Sequence, residues 1–367
     1  MYKNIYRDKT VLVTGNTGFK GSWLTTWLLE LGAKVIGLSD RIPTQPSMFE
    51  ALELVKKIDH HMIDVTNFQQ VRKLIEEKKP DFVFHLAAQA IVSYSYENPL
   101  STIQVNVMGT AAILDALRIS GHPCTAIMIT SDKCYENVEW TWGYRENDRL
   151  GGKDPYSASK AGAEIVFNTY YHSFFSNEGS MVRIASARAG NVIGGGDWAV
   201  SRIVPDCIRA WSQKKPVIIR RPSSTRPWQH VLEPISGYLT LGKNLHENKF
   251  LSGESYNFGP GSDQTFMVKQ LIDEVAINWS FRNDQLQVVI QEEPDFHEAG
   301  LLKLNCDKAL HDLRWKPVLG FADAARLTAS WYNIYYNTSE KDLYKFTLSQ
   351  VDEYTTFAKK INLEWAQ

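Results

Sequence analysis

The sequence predicts a doubly wound α/β fold: a parallel sheet covered by helices on both faces, with a smaller, discontinuous mixed α/β part. Three observations carry this prediction. Short β-branched runs alternate with stretches of crossover-helix length through the first half of the chain. Glycines punctuate the turn between the first run and the first helix, in "VTGNTGFKG". The alternation stops near Gly194, where Gly, Arg, Pro and Trp crowd into loop-like segments.

"TVLVTG" (10–15) reads as a strand buried on both faces, because its apolar run is continuous rather than alternating. "KGSWLTTWLLELG" (20–32) reads as a helix closed by Gly32. "KVIGLSD" (34–40) is a strand, "NFQQVRKLIEEKK" (67–79) a helix and "DFVFHLAAQ" (81–89) a strand. The helix "STIQVNVMGTAAILDALRIS" (101–120) and the strand "TAIMITS" (125–131) follow. After a polar loop, "SASKAGAEIVFNTYYHSFF" (157–175) is helical and "MVRIASARAGN" (181–191) returns as strand. "HVLEPISGYLTLGKNL" (230–245) is a further strand-helix piece, and the remainder mixes short helices with segments such as "LQVVIQEEP". The expected division is a dinucleotide-binding domain over 1–191, with a returning segment at about 230–258. About 192–229 and 259–367 form the second domain.

A chain of 367 residues is long enough for two domains, and 44% hydrophobic with 22% charged residues is a globular composition. A net charge of -1 gives no reason to expect nucleic acid or an anionic membrane as partner. Cys124, Cys134, Cys207 and Cys306 are scattered and form no C-x-x-C pair, so reduced thiols are expected rather than disulfides or zinc. No His, Asp or Glu cluster has metal spacing, and no metal is expected. No apolar run approaches the length of a membrane span, and "MYKNIYRDKTVLVTG" lacks an apolar signal core. The expected location is the cytoplasm.

Gly15, Gly18 and Gly21 stand where a turn needs positive φ, where backbone approaches a pyrophosphate, and where helix packs on sheet. The following helix N-terminus offers N–H groups and a positive dipole end to phosphate. Asp40 ends the second strand 19 residues after Gly21, where a carboxylate accepts the hydroxyls of an adenosine ribose. This favours NAD, while the adjacent Arg41 keeps the 2′-phosphate of NADP in play. Asp64 follows the apolar "MI" and either caps an adenine pocket or serves a turn or helix N-cap. Small Ala87 and Ala88 in "HLAAQA" allow close approach beside a nicotinamide, whereas His85 reads as a core histidine.

The strand at 125–131 ends in Ser131, Asp132 and Lys133, at the sheet edge where ligands of such folds sit. "DPYSASK" places Tyr156 four residues before Lys160, one helical turn apart on one face. An ammonium there favours phenolate and fits Tyr156 to take a hydroxyl proton.

Taken together, these features resemble the extended short-chain dehydrogenase/reductase family, over nearly the whole chain. Within it, "TGNTGFKGSWL", "ITSDKCY", "WGYREND", "GGKDPYSASK", "RAGNVIGGGDW" and "RPWQHVLEP" are similar to segments of the CDP-glucose-specific 4,6-dehydratases. The resemblance implies a Rossmann domain holding NAD and a redox-neutral conversion of CDP-glucose to its 4-keto-6-deoxy form, which usually feeds dideoxyhexose and O-antigen synthesis. It implies that Ser131, Tyr156 and Lys160 serve C4 oxidation and that Asp132 protonates the leaving C6 hydroxyl. Better-known dehydratases carry Asp-Glu at this place, so Lys133 occupies the position of the C5 base. A lysine serves as a base only with a lowered pKa; otherwise Lys133 stabilises the enolate and another group takes the proton. Adjacent residues of a regular strand point to opposite faces, so both line one pocket only if the strand ends before them.

The resemblance also implies cofactor contacts from Thr17, Phe19, Val65, Gln89 and Asn106, and substrate contacts from Asn191, the "GGGDW" loop, Arg202, Arg220, Arg226 and Glu298. A guanidinium fork at Arg226 suits a pyrophosphate. His230 reads as structural, with a ligand contact the alternative. Dimers or tetramers through the apolar helices 101–120 and 157–175 are implied as well. Two rival functions are a nucleotide-sugar 4-epimerase or other-nucleotide dehydratase of the same fold, and a non-catalytic NAD-sensing regulator.

Overall fold

The computed structural model describes residues 1–219, 221–279, 288–290 and 301–367. Arg220, Glu298 and most of "LQVVIQEEP" lie outside the described residues. Of that last segment, Val288–Ile290 pairs in parallel with Val217–Ile219.

The strands of the central sheet are β1 (Thr10–Thr14), β2 (Lys34–Ser39), β3 (Asp59–Met62), β4 (Phe82–His85), β5 (Cys124–Ile129), β6 (Val182–Ala189) and β7 (Ser255–Phe258). All pair in parallel, in the order β7-β6-β5-β4-β1-β2-β3. The order reverses between β1 and β4, which opens a crevice beyond their carboxyl ends. The helices that matter to the site are α1 (Phe19–Glu30), α2 (Phe68–Lys78), α3 (Pro99–Ser120), α4 (Pro155–Tyr170) and α5 (Leu232–Glu247). Two long C-terminal helices, α6 (Phe321–Asn337) and α7 (Leu343–Lys360), complete the description.

Strand parity sorts the core into two layers. Leu12, Ile36, Val83, Ala126 and Ile184 pack with Leu74, Ile75, Ile113, Leu114 and Phe167 from α2, α3 and α4. Val11, Val13, Phe84 and Ile127, offset by one residue, pack with Trp23 and Trp27 of α1 and with Leu239 and Leu241 of α5. Both faces of each inner strand are therefore covered, which is why these strands read as unbroken apolar runs. A fully buried aliphatic side chain contributes about 1.5–3 kcal/mol. Burial, rather than propensity, therefore holds α1, whose interior carries Thr25, Thr26 and Gly21.

The structure departs from the expected elements in several places. Strand β3, "DHHM", is absent from the expected strands because its polar residues, exposed or half-buried, give no alternating signal. Strand β4 ends at His85 rather than running to 89, and β5 ends at Ile129 rather than 131. Helix α3 contains a π-helical turn over Gln104–Met108, and α4 continues into another over Tyr171–Phe175. Helix α3 is also long and apolar enough to cross a membrane by length and composition, contrary to expectation, but half of it is buried inside the fold. Beyond residue 191, α5 packs on β5 and β6, and β7 joins the main sheet beside β6. All four cysteines are free thiols.

Candidate active site

The glycine turn sits at the crevice between β1 and β4. Gly15 adopts φ +72, and a Cβ there would meet the Ala87 backbone nitrogen at 2.8 Å. A Cβ on Gly21 would lie 2.1 Å from the Gly15 carbonyl oxygen, so only glycine lets α1 start this close to the strand. Gly18 precedes α1 with no side chain capping the helix, which leaves its N-terminus open to an anion. Thr17 donates its hydroxyl to the Arg41 carbonyl (2.7 Å), tying the turn to the end of β2. There the exposed Asp40 carboxylate lies 3.4 Å from Arg41 Nε.

Beyond β5 the backbone leaves the strand and makes a 3-10 turn over Asp132–Cys134. Ser131 caps that turn: its Oγ accepts from the Lys133 N–H (3.2 Å) and donates to Asp132 Oδ1 (2.8 Å). The turn removes the alternation that would send Asp132 and Lys133 to opposite faces. Asp132 is buried, and burial pushes its carboxyl above the ordinary range, although Lys133, Ser131 and Lys20 oppose the shift.

Tyr156 and Lys160 come from the start of α4. Asp154 caps this helix, its Oδ1 accepting from the Ser157 N–H (2.9 Å), and Pro155 occupies the first position. The helix has therefore begun at Tyr156, and both side chains are buried on one face, with Lys160 Nζ 5.8 Å from the Tyr156 ring centre. Burial pushes the Tyr156 phenol up to about 12, while the Ser131 side chain and the charge of Arg202 pull the other way. Burial also draws the Lys160 ammonium down to about 8. Desolvation is the largest influence on both groups.

Two further cations face this group. Arg202 precedes a helix over Ile203–Ser212, and its Nη1 lies 2.8 Å from the Asp197 carboxylate of "GGGDW". That loop is packed hard into the core: a Cβ on Gly195 would meet Trp331 at 2.1 Å, and the Gly195 carbonyl accepts from Trp23 Nε1 (2.9 Å). Its glycines serve packing, while Asp197 holds Arg202 toward Tyr156. Lys20, which sequence reasoning missed, lies in the first turn of α1. Its partly buried ammonium is drawn down to about 8 by burial, with Arg202 and Lys160 repelling it and Asp132 and Asp197 attracting it. The signal available in the sequence was a lysine inside the glycine turn, "GFKGS".

The other residues singled out in the sequence take these places. Asn106 sits in the π turn of α3 with its amide fully engaged. Its Oδ1 accepts from the Gln89 N–H (2.8 Å), and its Nδ2 donates to the Gln89 carbonyl (3.1 Å) and Ser159 Oγ (2.8 Å). It braces the segment after β4 against α4. Gln89 in turn donates Nε2 to Thr102 Oγ1 (2.9 Å). Asp64 forms a turn, accepting from the Thr66 N–H and hydroxyl (2.8 Å each), and Asn67 caps α2 instead. Val65 is buried against α3 at Gly109, and Phe19 packs beside Gly194. Ala87 and Ala88 are half-buried at the crevice.

His85 is a core residue with both ring nitrogens partnered, by Thr14 (2.8 Å) and Thr110 (3.3 Å). His230 is fully buried, its Nδ1 accepting from the Leu232 N–H (3.3 Å). Asn191 lies between β6 and Val192–Ile193, its carbonyl accepting from the Gln229 N–H (3.2 Å). Arg226 is buried in a strand pair with Phe266–Met267, donating Nη1 to the Thr225 carbonyl (2.9 Å). No group of three metal-binding side chains occurs among the described residues.

A family profile described as GDP-mannose 4,6 dehydratase matches residues 12–328. A CDP-glucose 4,6-dehydratase of Salmonella typhimurium is 45% identical over 333 residues, covering 90% of this chain and 92% of that protein. A dTDP-glucose 4,6-dehydratase of Xanthomonas campestris is 25% identical over 339 residues, covering 88% and 93%. Among solved structures, a UDP-glucose 4-epimerase of Stenotrophomonas maltophila superposes with a TM-score of 0.77 at 21% identity, covering 89% of this chain and 98% of that one. The last is a likeness of fold.

These matches, on a parallel sheet with a glycine turn at its switch point, identify an extended short-chain dehydrogenase/reductase enzyme. Within that class the chain belongs to the nucleotide-sugar 4,6-dehydratase family, as a CDP-glucose 4,6-dehydratase-like member.

Proposed function

We propose that this protein uses NAD to convert CDP-D-glucose into CDP-4-keto-6-deoxy-D-glucose and water. The observation that carries the reading is a buried carboxyl, Asp132, on the same turn as Ser131 and facing Tyr156. A 4-epimerase needs the hydroxyl and the phenol but has no use for an acid at this place. The glycine turn and the uncapped α1 terminus fit a dinucleotide pyrophosphate. Asp40 beside Arg41 favours the free ribose of NAD over the 2′-phosphate of NADP.

In this reading Tyr156 takes the proton of the C4 hydroxyl while Ser131 hydrogen-bonds the same oxygen and Lys160 orients the pair. When bound, NAD supplies the hydride acceptor at C4 and the donor that returns the hydride at C6. The 4-keto group acidifies C5–H; Lys133 or a neighbouring group removes that proton and returns it to C5 when hydride adds at C6, and Asp132 protonates the departing C6 hydroxyl. Arg202, and Arg226 with Asn191, serve the nucleotide sugar. With four free thiols, we place the protein in a reducing, cytoplasmic compartment.

The test is incubation with NAD and CDP-glucose, with dTDP-, GDP- and UDP-sugars in parallel, read by loss of one water in mass spectrometry. The expected product arises from CDP-glucose. Product from another nucleotide alone discards the substrate, and inversion at C4 without water loss replaces dehydration by epimerisation.

We also infer a homodimer or homotetramer built through α3 and α4. Leu100 is 82% exposed, Met108 56% and Ile165 57%, so both helices carry large apolar side chains that a partner subunit could cover. Light scattering should give a mass above one 41.8 kDa chain, and Leu100→Glu with Ile165→Glu should return it to that value. A wild type that runs only at 41.8 kDa sinks this inference.

A further inference from the structure

One turn beyond Lys160 on the same face of α4 stands Glu164, fully buried and opposite Arg188 of β6, which is also buried. Glu164 Oε2 accepts from Arg188 Nη2 (2.7 Å) and Ser186 Oγ (2.9 Å), and its Oε1 accepts the hydroxyl of Thr130. Arg188 Nη1 donates to the Tyr135 hydroxyl (2.7 Å) and the Glu146 carbonyl (2.9 Å), and Tyr135 donates onward to Asn257 Oδ1 (2.8 Å). Thr130 and Tyr135 flank the segment that carries Ser131, Asp132 and Lys133. Each flank is thus held by one member of a single ion pair, and one member rides on the helix that carries Tyr156 and Lys160.

Burial opposes both charges, yet each partner and its hydrogen bonds more than offset it: the Glu164 carboxyl sits below the usual range and the Arg188 guanidinium well above. A buried ion pair is often no more stable than apolar residues of the same volume. What apolar residues cannot supply is direction, since hydrogen bonds fix angles as well as distances.

We propose that Glu164 and Arg188 are positioning residues that clamp both ends of the Ser131–Lys133 segment and hold it in register with Tyr156 and Lys160. Misplacing reacting groups by about 1 Å costs about 10²-fold in rate, and the clamp ties the segment that carries Ser131 to the helix that carries Tyr156. The proposal rests on the dehydratase reading for its assay.

The test is the double variant Glu164→Leu, Arg188→Met, assayed for melting temperature, NAD affinity, kcat and KM. The expected result is a protein that melts at or above the wild-type temperature and binds NAD normally, with kcat lowered about 10²-fold and KM little changed. Wild-type kcat in that stable protein overturns the proposal, as does a kcat loss that only tracks lost NAD affinity. Should the double variant not fold, Glu164→Asp keeps the charge but withdraws the carboxylate by one methylene from Thr130 and Arg188. A kcat lowered about tenfold or more at unchanged NAD affinity supports the clamp, and a wild-type kcat overturns it. The wild-type control separates the two readings. If it turns over a different nucleotide sugar, only the substrate assignment fails, and the ratio of variant to wild type on that sugar still decides the clamp.

Discussion

Tyr156→Phe should lower kcat on CDP-glucose by about 10³-fold while leaving NAD affinity within about twofold of wild type. The phenol is buried at the site with Ser131, Asp132 and Arg202 acting on it, and Phe keeps its ring in the same buried slot. Steady-state kinetics with a parallel NAD titration measures both. A wild-type kcat in Tyr156→Phe would remove the residue from the chemistry. The pH profile carries the same information with a definite sign. Tyr156 acts deprotonated, so activity falls as pH drops below its pKa, which burial raises and Ser131 and Arg202 lower. Ser131→Ala removes a bond that lowers it and should move this limb to higher pH. Asp132 acts protonated, so the opposite limb is lost as pH rises through a carboxyl pKa that burial has raised.

Lys133→Met should still oxidise C4 yet release water about 10²-fold more slowly or worse. Borohydride trapping would then yield gluco and galacto sugars from the stalled 4-ketone. Solvent deuterium sorts the roles. Lys133→Met should lose exchange at C5, whereas Asp132→Asn should keep C5 exchange and fail only at the departure of the C6 hydroxyl. Lys20→Met is the informative comparison, because its ammonium, drawn down to about 8 by burial, also interacts with the Asp132 carboxyl. Loss of C5 exchange in Lys20→Met with retention in Lys133→Met would transfer the base to Lys20. Wild-type dehydration in Lys133→Met removes that residue from the mechanism.

Much of this site was legible along the chain because its parts are local. Ser131 follows a buried strand by two residues, Tyr156 and Lys160 are one turn apart in a helix that Asp154 and Pro155 start, and Gly15 and Gly21 make a turn that no side chain fits. The edge strand β3 was not legible, since "DHHM" buries little and its pairing with β2 supplies what periodicity does not. Nor was the work of Asn106, whose residue type suits a ligand as well as a brace. Its three bonds to Gln89 and Ser159 join segments that only the fold brings together.

The sequence by itself determined the alternation of strand and helix, the glycine turn and the residue types at the strand ends, because turn chemistry and periodicity are properties of contiguous residues. The tertiary structure alone decided which charges share the pocket. It set Lys20 beside Asp132, joined Arg202 to Asp197, and closed Glu164 on Arg188 24 residues away. The strength of a charge depends on what surrounds it, and in a buried site those surroundings come from distant segments that folding brings together.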